Sequence, residues 1–181
     1  MIKLRDVLAE LLDSTTGKKY DLQGPKILSY NNIFDDNTET YYNETSYVWI
    51  YKNHKHQKMD IKVILETDKR GKKPRIIISF GMAAKRVDNK YGAMTGAGDL
   101  KIILKTVIEA VERVIEKELV GNKQALMAVG FEPSDDRRKR IYDYFINNNF
   151  SQFKSEIDKS RLIDMGLKPQ FNWYINKNYE A

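Results

Sequence analysis

The sequence predicts an α+β protein: a mixed, mostly antiparallel sheet with a central crossover helix and a second packed helix. Three observations lead there. Between Glu44 and Phe80, three segments rich in β-branched and aromatic residues follow one another across short turns. From Leu100 to Ile115 apolar residues recur at i, i+3, i+4, i+7, the mark of one buried helical face. A further apolar run, Gln124–Phe131, follows that helix, and strands joined through a helix of this length are expected to lie parallel.

Taken in order, Ile2–Leu12 reads as a short amphipathic helix with Val7, Leu8, Leu11 and Leu12 to bury, ended by Asp13-Ser14-Thr15-Thr16-Gly17. Tyr20–Asn43 is polar and irregular and reads mostly as loop. Glu44–Tyr51 is a strand by composition. Met59–Thr67 alternates around Ile61, Val63 and Leu65, and after a turn at Asp68–Lys73 comes the Ile76–Phe80 strand. These three strands predict an antiparallel meander. The long helix and the Gln124–Phe131 strand follow. Ser134, Asp135 and Asp136 suit the start of a second helix, whose apolar face is Ile141, Tyr142, Phe145 and Ile146 and which stops at Asn147-Asn148-Asn149. Phe171–Ile175 closes the sheet. We take residues 1–181 as one domain, with an N-terminal helix and loop (1–43), a core (44–150) and a C-terminal strand region (151–181).

Composition narrows the function classes. A chain of 181 residues with 41% hydrophobic and 31% charged residues suits a soluble globular protein. It has no apolar run near the roughly 20 residues that span a bilayer, so no membrane partner is expected. Without cysteine there is no disulfide, thiolate nucleophile or cysteine-ligated metal, in keeping with a reducing cytoplasm. The net charge of +6 favours acidic partners. Two basic clusters stand out: Lys69, Arg70, Lys72, Lys73 and Arg75 around a turn, and Arg137-Arg138-Lys139-Arg140. Such runs are more often solvated faces than binding patches.

The stretch with most chemical content is Lys90–Leu119. Its small-residue loop, Gly92-Ala93-Met94-Thr95-Gly96-Ala97-Gly98-Asp99, runs into the long helix. A strand followed by such a loop at a helix N-terminus can hold an anion, because free N–H groups and the helix dipole converge there.

From Arg75 to Phe150 this succession resembles the core of the GNAT family of N-acetyltransferases. Gly96-Ala97-Gly98 stands where that family's coenzyme A pyrophosphate loop has Gly-x-Gly, and Ile141-Tyr142 matches the [Leu/Ile]-Tyr pair of its following helix. Ala93 replaces the loop's Arg or Gln, Asp135 and Arg138 replace its Asn and Ala, and Asn149-Phe150 stands near its Gly-Phe. Asp99 would put a negative charge in the first turn of the phosphate-holding helix. The loop and the Ser134, Arg138, Tyr142 helix also resemble those of bacteriophage proteins of this architecture.

The resemblance implies Thr95, Gly96, Ala97 and Gly98 as cofactor-binding residues and Tyr142 as the general acid toward a departing thiolate. The bland alternative for Tyr142, an aromatic packed on the sheet, is favoured. Glu66 and Asp68 could act as a base toward an amine, but fit better as flanks of a solvated hairpin. His54 and His56 lack an evident third ligand, so no metal is expected. Arg137, Arg138, Arg140, Lys72 and Lys73 are the candidate contacts to a partner or anion. Exposed aromatic segments, Tyr41-Tyr42 and Tyr47–Tyr51, would suit a protein interface.

The leading expectation is a phage-type GNAT-like protein with a degenerate coenzyme site. It would act by binding a host protein or virion component, in the host cytoplasm or the virion, with no cofactor. The alternatives are an active acyl-CoA N-acyltransferase using acetyl-CoA, and a basic nucleic-acid-binding protein.

Overall fold

The computed structural model describes residues 19–53, 56–82, 100–120, 125–132, 136–156 and 158–179. The expected N-terminal helix Ile2–Leu12 lies outside them. The described residues form an α+β fold with a seven-stranded mixed sheet, in the order β1-β2-β3-β4-β5-β7-β6, and three α-helices.

The expected meander is present and longer than its apolar signal. Strands β2 (Thr40–Lys52), β3 (Lys58–Asp68) and β4 (Arg75–Met82) pair antiparallel. The turn between β3 and β4 is set by Asp68, whose carboxylate accepts the N–H groups of Arg70 at 2.9 Å and Lys72 at 2.7 Å. Helix α1 (Leu100–Val114) then crosses over, ends in a π-helical turn at Ile115–Val120, and leads to β5 (Ala128–Phe131), which runs parallel to β4. Only the second half of the expected Gln124–Phe131 strand is ladder. Met127 nevertheless donates to Pro74 O and accepts from Asn176 N, extending the pairing by one residue on each side.

The segment read as loop between Tyr20 and Asn43 is corrected. It holds β1 (Gln23–Asp35) and the start of β2, paired antiparallel from Gln23↔Ile50 to Asp35↔Thr40. Nearly every residue of β1 is exposed, so it carries no alternation of apolar and polar residues for a sequence reading to find. Register shifts between Gln23 and Lys26 and between Tyr30 and Ile33 interrupt it, with Asn32 at a φ of 54°.

Helix α2 (Asp136–Asn149) follows β5 and ends within the asparagine run, as expected. Two further elements escaped the sequence. Strand β6 (Phe153–Glu156) buries only Phe153 fully, and helix α3 (Lys159–Asp164) spans less than two turns. Strand β7 (Asn172–Asn176) lies between β5 and β6, antiparallel to both.

One face of the sheet carries Tyr47, Trp49, Tyr51, Ile61, Val63, Ile76, Ile78, Val129 and Phe131. These residues pack against Ile103, Leu104, Val107 and Val111 of α1 and Ile141, Tyr142, Phe145 and Ile146 of α2. This is the face the helical periodicity anticipates. The other face carries Ile77, Ala128, Trp173 and Ile175, covered by Leu162 and Leu167 from α3 and the turn after it. Gly130 is part of this second contact. A Cβ there would lie 2.8–3.0 Å from three Trp173 ring atoms, so only glycine lets the indole lie flat on β5.

Candidate functional site

Among the described residues, a charged constellation built on the buried Glu66 and Arg75 lies on the second face. Glu66 on β3 and Arg75 on β4 are directly opposite in the ladder, and Arg75 Nε donates to Glu66 Oε2 at 2.8 Å. The other carboxylate oxygen, Oε1, accepts from Lys168 Nζ at 2.6 Å. Lys168 also donates to Tyr42 OH at 3.2 Å and stands 4.3 Å from that ring's centre. The Arg75 guanidinium lies 5.8 Å from the same ring. Burial opposes the Lys168 ammonium. The charge and hydrogen bond of Glu66, with Tyr42, outweigh it and hold the Lys168 pKa above the ordinary lysine value.

Local chain chemistry delivers Lys168 to this place. Asp158 caps α3, accepting from Ser160 N at 2.9 Å and Arg161 N at 3.3 Å. At the other end Gly166, with a φ of 71°, donates to Ile163 O and Leu167 N donates to Leu162 O, both at 2.8 Å. That pair of bonds is the Schellman motif, and it buries Leu167 beside Leu162. Trp173 Nε1 then donates to Lys168 O at 2.7 Å, fixing the backbone that carries the ammonium.

The solvated-hairpin reading is therefore right for Asp68 and wrong for Glu66, which has no measurable exposure. Arg75 likewise leaves the basic surface cluster, since it is 4% exposed, whereas Lys69, Arg70, Lys72 and Lys73 stay on the surface. The signal for the burial was the missed helix α3. Asp158 followed by Leu162-Ile163 and Gly166 is a short helix with both its caps, and it covers the face that otherwise reads as solvent-facing.

Tyr142 is buried, its ring stacked on Phe131 at 4.3 Å between centres and edge-on to Phe80 at 6.5 Å. Nearby, burial first and a hydrogen bond to Asp143 second push the Tyr174 hydroxyl well above the ordinary tyrosine range. Burial and Glu118, on the π-helical turn, do the same to Tyr47. The aromatic run read as exposed is thus mostly core. Tyr42, Tyr47, Trp49 and Tyr51 are buried, and only Tyr41 is half exposed. Helices α1 and α2 cover the face that Tyr47, Trp49 and Tyr51 share.

Thr95, Gly96, Ala97 and Gly98, with the rest of the small-residue loop, lie outside the described residues, as do Asp135 and His54. Of Arg137 and Arg138 only the helix backbone is described. Arg140 is exposed, and Lys139 lines a cavity of about 150 Å³ with Ser155, Lys159, Leu162, Pro169 and Trp173. Lys72 and Lys73 precede the start of β4, while α2 begins past the far end of β5, so the fold sets the two basic clusters at opposite ends of the parallel pair. His56 is exposed in the β2–β3 turn. Among the described residues no three His, Cys, Asp or Glu side chains are grouped to hold a metal, and no helix is long and apolar enough to cross a membrane.

The fold and site define an α+β protein with a mixed sheet and, on its second face, a Glu–Arg–Lys triad in which Glu66 and Arg75 are buried and Lys168 is half-buried. Comparison with protein-family models, curated proteins and solved structures gives no match.

Proposed function

We propose that the protein works by binding another protein, a host or virion component, through its β1–β2 hairpin, with the GNAT-like core as scaffold. One observation carries this reading. Ile27, Leu28, Tyr30, Phe34 and Tyr41 are each between 39% and 51% exposed, and all lie on this hairpin at the edge of the sheet. Large apolar side chains concentrated on one edge element are the usual mark of an interaction surface.

The hairpin presents a preformed shape. Ile27, Phe34 and Tyr41 fall on the same face by register, and the Phe34 and Tyr41 rings meet at 5.0 Å between centres. Lys69 Nζ stands 5.4 Å from the Tyr41 ring, adding a cation to the rim. Aromatic anchors with a charged rim are what protein interfaces concentrate. The burial of Tyr142 under Phe131 and Phe80 supports its packing role within the scaffold.

The test pairs two measurements. Affinity capture from host lysate is run with the wild-type chain and with Ile27→Asp/Phe34→Asp, and calorimetric titration is run with acetyl-CoA. Binding through the hairpin predicts a partner retained by the wild type, lost by the variant, and no heat from acetyl-CoA at millimolar concentration. Saturable acetyl-CoA binding with acyl transfer to an amine would replace this reading with the acyltransferase one.

A further inference from the structure

The triad is unbalanced. Glu66 spends one oxygen on Arg75 and the other on Lys168, so within the triad one carboxylate serves two cations, with Glu44 the neighbouring carboxylate opposite Glu66 in the β2–β3 ladder. Charge left uncompensated out of water is costly. Arg75 uses only its Nε, and among the described residues neither Nη nitrogen has a hydrogen-bond partner, although the side chain is only 5% exposed.

Those nitrogens are not sealed in. The space that a Cβ on Gly166 would occupy is 3.8 Å from Arg75 Nη1 and 3.8 Å from Thr40 Oγ1. Thr40 is exposed, and Gly166 and Lys168 are half-buried, so these three residues form the solvent-side rim of the cluster. Gly166 adds no side chain to that rim. Lys168 has a third ammonium proton beyond those given to Glu66 and Tyr42. Beside this rim the β3–β4 turn carries Lys69, Arg70, Lys72 and Lys73, which raise the local positive potential.

We infer that the Nη face of Arg75 and the Lys168 ammonium form a binding site for a phosphate-type oxyanion, with Thr40, whose hydroxyl is bonded to that of Thr38 at 2.8 Å, at its rim. A planar guanidinium fork beside an ammonium matches two oxygens of a tetrahedral anion. The site lies at the Arg75 end of β4, the end away from Met82. It does not depend on the hairpin reading.

The probe is inorganic phosphate, titrated calorimetrically into the full chain at constant ionic strength, with acetate as the comparison. Saturable phosphate binding is expected, at least tenfold tighter than acetate. Lys168→Met leaves the neutral Glu66–Arg75 pair in place and is expected to weaken phosphate at least tenfold with an unchanged circular dichroism spectrum. At the exposed rim position Thr40, Thr40→Lys tightens binding and Thr40→Glu weakens it. The inference is overturned if the wild type shows no saturable phosphate binding, or if acetate binds as tightly. It is also overturned if Thr40→Lys and Thr40→Glu bind alike, or if affinity follows Lys72→Ala/Lys73→Ala and ignores Lys168→Met.

Discussion

Glu66 and Arg75 face each other across the β3–β4 ladder inside the second face of the sheet, and Lys168 reaches the same carboxylate from the turn after α3. This link joins the C-terminal segment to the meander through charge. Removing Glu66 leaves the buried Arg75 and the half-buried Lys168 without their shared carboxylate, so Glu66→Ala is expected to cost about 3–5 kcal/mol in urea denaturation. Replacing all three ions together, as Glu66→Leu/Arg75→Met/Lys168→Met, removes the desolvation penalty as well as the attraction. That variant is expected to lie within about 1–2 kcal/mol of the wild type or above it.

Alkaline pH should unfold the protein. The folded-state pKa values of Lys168, Tyr47 and Tyr174 are raised, so each group binds its proton more tightly when folded. Their contribution is complete below the ordinary values of 10.5 for lysine and 10.0 for tyrosine, and is lost as pH rises above them. Tyrosinate absorbance followed against circular dichroism checks this. Tyr47 and Tyr174 should ionise only as the fold is lost, and Tyr47→Phe should remove one late-titrating group.

Gly130→Ala places a methyl group against the Trp173 ring, with backbone β5 on one side and the indole on the other. A loss of about 1–3 kcal/mol is expected, the usual cost of overpacking. Thermal unfolding gives the cost, and a shift in tryptophan fluorescence shows that Trp173 has moved.

Asp158→Ala removes the cap of a helix too short to stand on its own. It should cost about 1 kcal/mol and loosen the turn that carries Lys168. Hydrogen exchange reads the second effect directly, through faster exchange of the Gly166 and Leu167 amides with no change in β2 or β3.

What could be read from the sequence was whatever buries an apolar face in a regular pattern. Ile103, Leu104, Val107 and Val111 announce α1 because they repeat at the helical period. Ile61, Val63 and Leu65 announce β3 because they alternate. Strand β1 could not be read this way, since its residues bury almost nothing and the ladder to β2 is held by backbone bonds that any sequence can make. The triad was hidden for a different reason. Glu66, Arg75 and Lys168 look like surface charges one at a time, and their burial follows from α3, whose signal is its two caps rather than a long apolar stripe. Tyr142 illustrates the reverse case. A motif match drew attention to its hydroxyl, while the ring contacts with Phe131 and Phe80 were already implied by an apolar helix face packed on aromatic strands.

The most direct test of the account is quantitative affinity capture with the wild-type chain and Ile27→Asp/Phe34→Asp, both first shown to have the same melting temperature. Both residues are themselves exposed, so the substitutions add charge to a surface without opening the core. The account predicts a specific protein partner held by the wild type and reduced at least tenfold with the variant. Equal capture by the two chains would contradict it and place the working surface elsewhere on the molecule.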